Sequence, residues 1–271
     1  MSERYAVIGN PIEHSRSPQI HAAFARQTGE DISYGRILGD LEEFEEDVAL
    51  FVAEGGRGLN VTVPFKERAF RLADTLSERA AAAGAVNTLT VTDDGLAGDN
   101  TDGVGLVRDL ACNHLFDFAG ARVLLLGAGG AARGVLIPLL DECPASLVVA
   151  NRTASRAVAL AESATGWGPV SGCGLDELAG RQFDLIINGT AAGLDAKVPG
   201  IPDDCLAHGG WTYDMLYSIE PTEFVVWGRD HGAARSLDGL GMLVEQAAES
   251  FRLWRGVQPD TGSVIDSLRA S

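Results

Sequence analysis

The chain of 271 residues is 46% hydrophobic and 22% charged, a globular composition with length for one large domain or two ordinary ones. Its net charge of −17 excludes a broad basic surface for nucleic acid or anionic lipid. A small anionic substrate fits such a chain only where a local cationic pocket receives it.

Short apolar runs alternate with helical patterns along almost the whole chain, which predicts an α/β fold. The first part reads as strand "RYAVIG", helix "SPQIHAAFARQTG", strand "SYGRIL", helix "LEEFEEDVALFVAEG", strand "LNVTVP" and helix "FKERAFRLADTL". It continues through "ERAAAAGAVN", the strand "TLTVT", a turn at Asp94-Gly95, and "LAGDNTDGVGLVRDLAC". A new unit starts near Phe118 with strand "RVLLLG", helix "AARGVLIPLL", strand "SLVVAN", helix "ASRAVALAESA", and strands "FDLIING" and "WTYDML". The helix-like "EFVVWGRDHGAA" then leads into a long amphipathic segment, "DGLGMLVEQAAESFRLW". No linker composition separates the parts, so the join near residue 103 is expected to be a continuous helix.

Cys112, Cys143, Cys173 and Cys205 form no CxxC pair and no histidine clusters near them. They read as reduced thiols, with neither a disulfide frame nor a metal site. "MSERYAVIGN" has no signal-peptide pattern. Gly, Arg133, Pro138 and Asp141 break the most apolar region, Val123 to Ala150, before it reaches membrane-span length. A cytoplasmic protein is expected.

Four stretches carry chemistry. In "GNPIEHSRSPQIHAAF", Ser15 and Ser17 precede a helix that opens with Pro18. Ser17 reads locally as a helix cap, and two hydroxyls at a helix N-terminus also suit a carboxylate. His14 and His21 lack partners at a relay spacing and read as structural. In "NVTVPFKERA", Leu59, Val61, Val63 and Phe65 form an apolar face. Asn60 and Thr62, two apart, share the other face. Lys66 then falls on the first turn of the next helix, where the dipole repels an ammonium. That repulsion makes it readier to give up a proton, as an acid–base group must, although most lysines are snorkelling surface groups. "GDNTDGVG" offers Asp102, a carboxylate able to hold Lys66 or simply an Asx turn and helix cap.

The fourth stretch, "VLLLGAGGAARGV", sets Gly127, Gly129 and Ala132 in the G-x-G-x-x-A spacing between a strand and a helix, the context of a dinucleotide loop. The next strand ends "VVANRTASR". Where an NAD site offers an acid to the ribose, this chain has Asn151, Arg152, Thr153, Ser155 and Arg156. Two guanidinium groups among hydroxyl and amide donors suit the 2′-phosphate of NADP.

These stretches together resemble the shikimate dehydrogenase family over nearly the whole chain. The motifs are "GNPIEHSRSP", "NVTVPFK", "AGAVNT", "GDNTDGVG", "GAGGAA", "NRT", "YDMLY" and "DGLGMLVEQA". The resemblance implies a substrate domain over residues 1–103, completed by 240–271, and a Rossmann-type doubly wound NADP domain over 104–239. It implies that Ser15 and Ser17 bind the substrate carboxylate. Asn60, Thr62, Asn87, Tyr217 and Gln246 would surround the ring, and Lys66 and Asp102 would form the catalytic pair. It assigns the cofactor Glu78, Gly127, Ala128, Gly129, Gly130, Ala131, Thr190, Met215 and Gly239 besides the "NRTASR" residues. The implied reaction is the reversible reduction of 3-dehydroshikimate to shikimate with NADPH and no metal. An NAD-linked quinate dehydrogenase and a non-catalytic cofactor sensor are the alternatives. The sensor would be expected to have lost Lys66 or Asp102. Family members are often dimers, which leaves a homodimer open. Two departures touch loops beside the nicotinamide: Pro221 lies four past Tyr217, and "NGTAAGL" has small side chains.

Overall fold

The computed structural model describes residues 2–190 and 198–270, and the chain divides into two units. One comprises Met1–Gly105 with Leu243–Ser271, the other Leu106–Met242.

The first unit begins β1 (Glu3–Gly9), α1 (Ser17–Thr28), β2 (Ile32–Leu38), α2 (Phe44–Ala53) and β3 (Gly56–Val61). It continues α3 (Lys66–Leu72), β4 (Thr75–Leu76), α4 (Glu78–Ala83), β5 (Thr88–Thr92), β6 (Gly95–Asp99) and α5 (Asp102–Arg108). The sheet order is β2-β1-β3-β5-β6-β4. β1 runs parallel to both β2 and β3, whereas β5 is antiparallel to β3 and β6. Strand order therefore reverses at β1, and in an open α/β sheet the loops at such a reversal form the binding crevice. The loops after β1 and β3 are held together there: Asn10 N–H donates to the Val63 carbonyl at 3.0 Å and Thr62 N–H to Ile8 at 2.9 Å. Ile8, Phe44, Leu59, Val61, Phe65 and Leu89 pack into the core below.

β3 ends at Val61, before the expected strand does. Val63 is 63% exposed, so it does not belong to the apolar face that its alternation predicts. β1, its pairing partner, stops at Gly9, and Pro64 has no N–H with which to continue the ladder. Phe65 instead turns inward, stacks on Phe44 with centroids 4.7 Å apart, and anchors the start of α3.

The second unit begins within α5, at Leu106, and α5 runs without a break into a π-helical turn, Asp109–Asn113. It then runs β7 (Arg122–Leu126), α6 (Gly130–Asp141), β8 (Ser146–Asn151), α7 (Ala154–Glu162), β9 (Val170–Gly174) and a 3₁₀ turn, Leu175–Leu178. β10 (Phe183–Asn188), β11 (Leu206–Asp214), α8 (Glu223–Asp230) and β12 (Arg235–Leu237) complete it. All pairs are parallel, in the order β12-β11-β10-β7-β8-β9. Counted within the unit, that is the doubly wound order 3-2-1-4-5-6, so the expected α/β, Rossmann-type architecture is present. Buried residues on both faces of β7, β8 and β10 explain their unbroken apolar runs.

α9 (Leu240–Arg255) brings the chain back to the first unit, and α10 (Gly262–Arg269) ends it. α9 is fixed there by Trp254, which donates to the Leu89 carbonyl at 3.2 Å and stacks on Tyr5. Glu249 also meets Arg79, at 3.1 Å, which in turn holds Asp99 at the end of β6. No helix of the described residues is long and apolar enough to cross a membrane.

Candidate active site

The ammonium at the start of α3 has a partner. Lys66 Nζ donates to Asp102 Oδ2 at 2.6 Å, with the two side chains 21% and 7% exposed. Dipole repulsion at a helix start is worth about 0.3–1 kcal/mol, whereas a charge-assisted hydrogen bond contributes about 1.5–3 kcal/mol. The pair wins, and Lys66 stays where a surface lysine would turn away. Asp102 opens α5, an end that favours an anion.

Asp102 is itself fixed. Its Oδ1 accepts from Asn87 Nδ2 at 2.8 Å, and its N–H donates to Asn100 Oδ1 at 3.1 Å. Asn87 cannot turn over: its Oδ1 accepts the Thr101 N–H at 2.8 Å, so its nitrogen faces the carboxylate. Gln246, arriving on α9, sets Oε1 3.4 Å from both Asn87 Nδ2 and Thr101 Oγ1. Asn60 is 6% exposed. Its oxygen accepts from the Tyr34 hydroxyl at 2.6 Å, and its nitrogen donates to Ser250 at 2.9 Å. Thr62 follows directly in the loop after β3. Lys66, Asp102, Asn87, Gln246 and Asn60 are thus connected in the first unit.

Ser17 is not a helix cap. The N-cap position falls on Arg16, no side chain caps α1, and Ser17 is the first helical residue. Its hydroxyl accepts from Ser15 at 3.2 Å and faces Tyr34. Arg36 holds the Ser15 carbonyl through Nε and Nη2, at 3.1 and 2.6 Å. The Tyr34 ring is half-buried, yet its hydroxyl lies inside, and desolvation raises the phenol well above its ordinary range against the opposing bond from Ser17. It is a neutral donor at any working pH. His21 stacks on Tyr34 at 4.1 Å.

Tyr34, Arg36 and Ser250 escape a motif reading, and Thr88 and Thr101 sit inside "AGAVNT" and "GDNTDGVG" without standing out from their neighbours. Tyr34 and Arg36 alternate on β2 as edge-strand residues do, and Ser250 looks like one small residue of an amphipathic helix.

The second unit places the candidate dinucleotide loop at its own strand reversal, between β7 and β10. Gly127 sits at φ +107°, and a side chain there would meet the Gly189 carbonyl oxygen at 2.9 Å. Gly129 caps α6, and at Gly129 and Gly130 a Cβ would meet nothing within 4 Å. That open space against the N-terminus of a 12-residue helix fits a pyrophosphate. Ala128 and Ala131 complete the loop, and buried Ala132 lets α6 approach the sheet. At the end of β8, Asn151 Nδ2 bonds the Thr153 carbonyl at 3.0 Å, while Arg152, Thr153, Ser155 and Arg156 lie toward solvent. They present two cations and two hydroxyls and no acid, the donor set of a 2′-phosphate site.

Thr190 bonds Asn188 at 2.7 Å, beside the Gly127 turn. Met215 N–H donates to the Asn188 carbonyl at 3.0 Å, and Gly239 packs so close that a Cβ would lie 2.3 Å from the Met215 oxygen. Tyr217 follows on the loop after β11. Beyond Thr190, the small residues of "NGTAAGL" lie outside the described residues. Glu78 lies at the start of α4 in the first unit, whereas the other cofactor candidates belong to the second.

All four cysteines are free thiols. Burial pushes Cys205 up to about 11. Among the described residues no three His, Cys, Asp or Glu side chains form a metal-binding group.

Residues 7–89 match the family model of the shikimate dehydrogenase substrate binding domain, 109–195 that of shikimate / quinate 5-dehydrogenase, and 239–269 that of the shikimate 5′-dehydrogenase C-terminal domain. The chain is 58% identical over 269 residues to a shikimate dehydrogenase (NADP(+)) of Alkalilimnicola ehrlichii, covering 99% of both. It is similar to the crystal structure of an Ael1 enzyme from Pseudomonas putida, with 46% identity, a TM-score of 0.91 and 98% of both chains covered. It is also similar to the shikimate 5-dehydrogenase of Thermus thermophilus in complex with NADP(H) and shikimate, with 34% identity, a TM-score of 0.86 and 99% of both covered.

Proposed function

The chain belongs to the NADP-dependent shikimate dehydrogenase family, and we propose that it interconverts 3-dehydroshikimate and shikimate with Lys66 and Asp102 as the catalytic pair. It is an oxidoreductase of aromatic amino acid biosynthesis.

The observation that carries the pair is the 2.6 Å bond between Lys66 Nζ and Asp102 Oδ2, flanked by the amides of Asn87 and Gln246. Each oxygen of Asp102 already accepts a bond, one from Lys66 and one from Asn87. Lys66 Nζ keeps two further protons beside that bond, and we assign the transferred proton to it. In the reducing direction Lys66 Nζ gives a proton to the oxygen of the reacting carbon; in the oxidising direction it takes one back. Asp102 aims the amine and balances its charge, so the developing alkoxide meets a fixed cation with no reorganisation.

Substrate is held at both ends. Ser15 and Ser17 would donate their hydroxyls to its carboxylate. Asn60, Thr62, Asn87, Gln246 and Tyr217 hold the ring and its hydroxyls in register. NADPH, when bound, supplies the hydride. Gly127, Ala128, Gly129, Gly130 and Ala131 would carry its pyrophosphate, and Thr190, Met215 and Gly239 its nicotinamide end. Asn151, Arg152, Thr153, Ser155 and Arg156 would carry its 2′-phosphate. Glu78, in the first unit, completes the proposed set. Four free thiols are the state that a reducing compartment maintains, which supports a cytoplasmic enzyme.

A spectrophotometric assay of cofactor reduction, pairing NADP⁺ or NAD⁺ with shikimate or quinate, tests the reading. The highest kcat/KM is expected for NADP⁺ with shikimate. A preference for NAD⁺ or for quinate would contradict it.

A further inference from the structure

We infer that Ser250, on α9, is a positioning residue for the substrate site, its hydroxyl fixing the side-chain amide of Asn60 directly and that of Asn87 through Thr88. The inference rests on the functional reading above.

A serine inside a helix ordinarily bonds only its own preceding turn, and Ser250 Oγ does reach the Gln246 carbonyl at 3.1 Å. It also meets three side chains from outside α9: Asn60 Nδ2 at 2.9 Å, Thr88 Oγ1 at 2.8 Å and Thr101 Oγ1 at 3.3 Å. Ser250 is 0% exposed, as are Thr88 and Thr101. A hydroxyl has one proton and two lone pairs, fewer than these four contacts, so this oxygen is saturated by the protein and its one proton is shared between the Gln246 carbonyl and Thr88 Oγ1.

The directions of the bonds follow. An amide nitrogen only donates, so Asn60 takes one lone pair of Ser250. Its other N–H points at the Asn87 carbonyl and Thr88 Oγ1, at 3.4 and 3.3 Å. Both donors of Asn60 are thus spent inside, and a ligand finds only its oxygen, which Tyr34 already shares. Thr88 in turn donates to Asn87 Oδ1 at 2.9 Å. That oxygen also takes the Thr101 N–H, which turns the Asn87 nitrogen onto Asp102. The line from Ser250 through Thr88 and Asn87 ends on the carboxylate that holds Lys66. Removing one oxygen atom from Ser250 would leave a buried N–H of Asn60 without its best acceptor and Thr88 without its 2.8 Å partner. Both amides would be freer to turn, and the ring hydroxyls would meet groups of varying sign.

The test is calorimetric binding of shikimate, and separately of NADP⁺, to the parent and to Ser250→Ala. A positioning bond of ordinary strength predicts about a five- to tenfold rise in the Kd for shikimate, with the Kd for NADP⁺ within about twofold. A general loss of structure would weaken both ligands alike. Should Ser250→Ala fail to fold, the near-isosteric Thr88→Val carries the same expectation. A rise below about threefold in the folded variant, or an equal loss for both ligands, overturns the inference. A parent that binds no shikimate overturns the functional reading itself, which is a separate result.

Discussion

His21 shows what burial alone does to one residue. It is 0% exposed, among the rings of Phe24, Tyr34, Phe251 and Trp254. Neither ring nitrogen has a hydrogen bond of good geometry, although the Asn60 amide lies near enough to oppose the shift in part. Desolvation of the charged form dominates and lowers the imidazole to about 3. The folded value lies below the unfolded one, so the unfolded chain binds more protons over that interval and stability rises with pH. The contribution is complete above the unfolded value of about 6.5 and is lost as pH falls toward 3. Between about pH 6.5 and 5 the loss should be on the order of 2 kcal/mol. Denaturant unfolding at the two pH values should show that difference for the parent and little of it for His21→Phe. Equal pH dependence in parent and variant would remove His21 from the acid response.

Among the elements, the junction of β8 and α7 is the proposed reader of the cofactor's 2′-phosphate. Arg152→Ala should raise the KM for NADP⁺ about ten- to fortyfold, the lower part of what a charge-assisted pair contributes, because Arg156 and Thr153 retain part of the site. The contact is remote from the hydride and equal in ground and transition states, so kcat should be spared. The KM for NAD⁺ should hardly change. An NADP⁺ KM within about twofold of the parent would mean that "NRTASR" does not read the phosphate. β8 and α7 were legible because their signals are local, an apolar run followed by a helical pattern. The long strands and helices were legible for the same reason. β6, β9 and β12 were not. "GLAGD" and "VSGCG" carry too little apolar pattern, "RSL" is three residues long, and each is a strand because a neighbour supplies its ladder. α10 has only two buried apolar residues, Val264 and Leu268. Val63 misled in the other direction, since its alternation continues past the point where β1 stops pairing.

At the scale of the whole molecule, the site joins residues that no local window contains. Lys66 and Asp102 are 36 positions apart, and Asn60 and Ser250 are 190 apart. Single residue types at the right places in motifs let the resemblance name Lys66, Asp102 and Gln246 together. Distances, donor directions and the part played by Tyr34, Thr88 and Ser250 depend on how β3, β5, α5 and α9 pack, which sequence patterns do not encode. The functional reading requires that Lys66 act on the reacting proton rather than merely hold Asp102. The measurement that bears on this most directly is kcat for shikimate oxidation by Lys66→Ala, made where chemistry limits the rate, with shikimate binding measured by calorimetry on the same preparation. A loss of about 10²- to 10⁴-fold in kcat with shikimate still bound is expected. A kcat within about threefold of the parent would contradict the assignment.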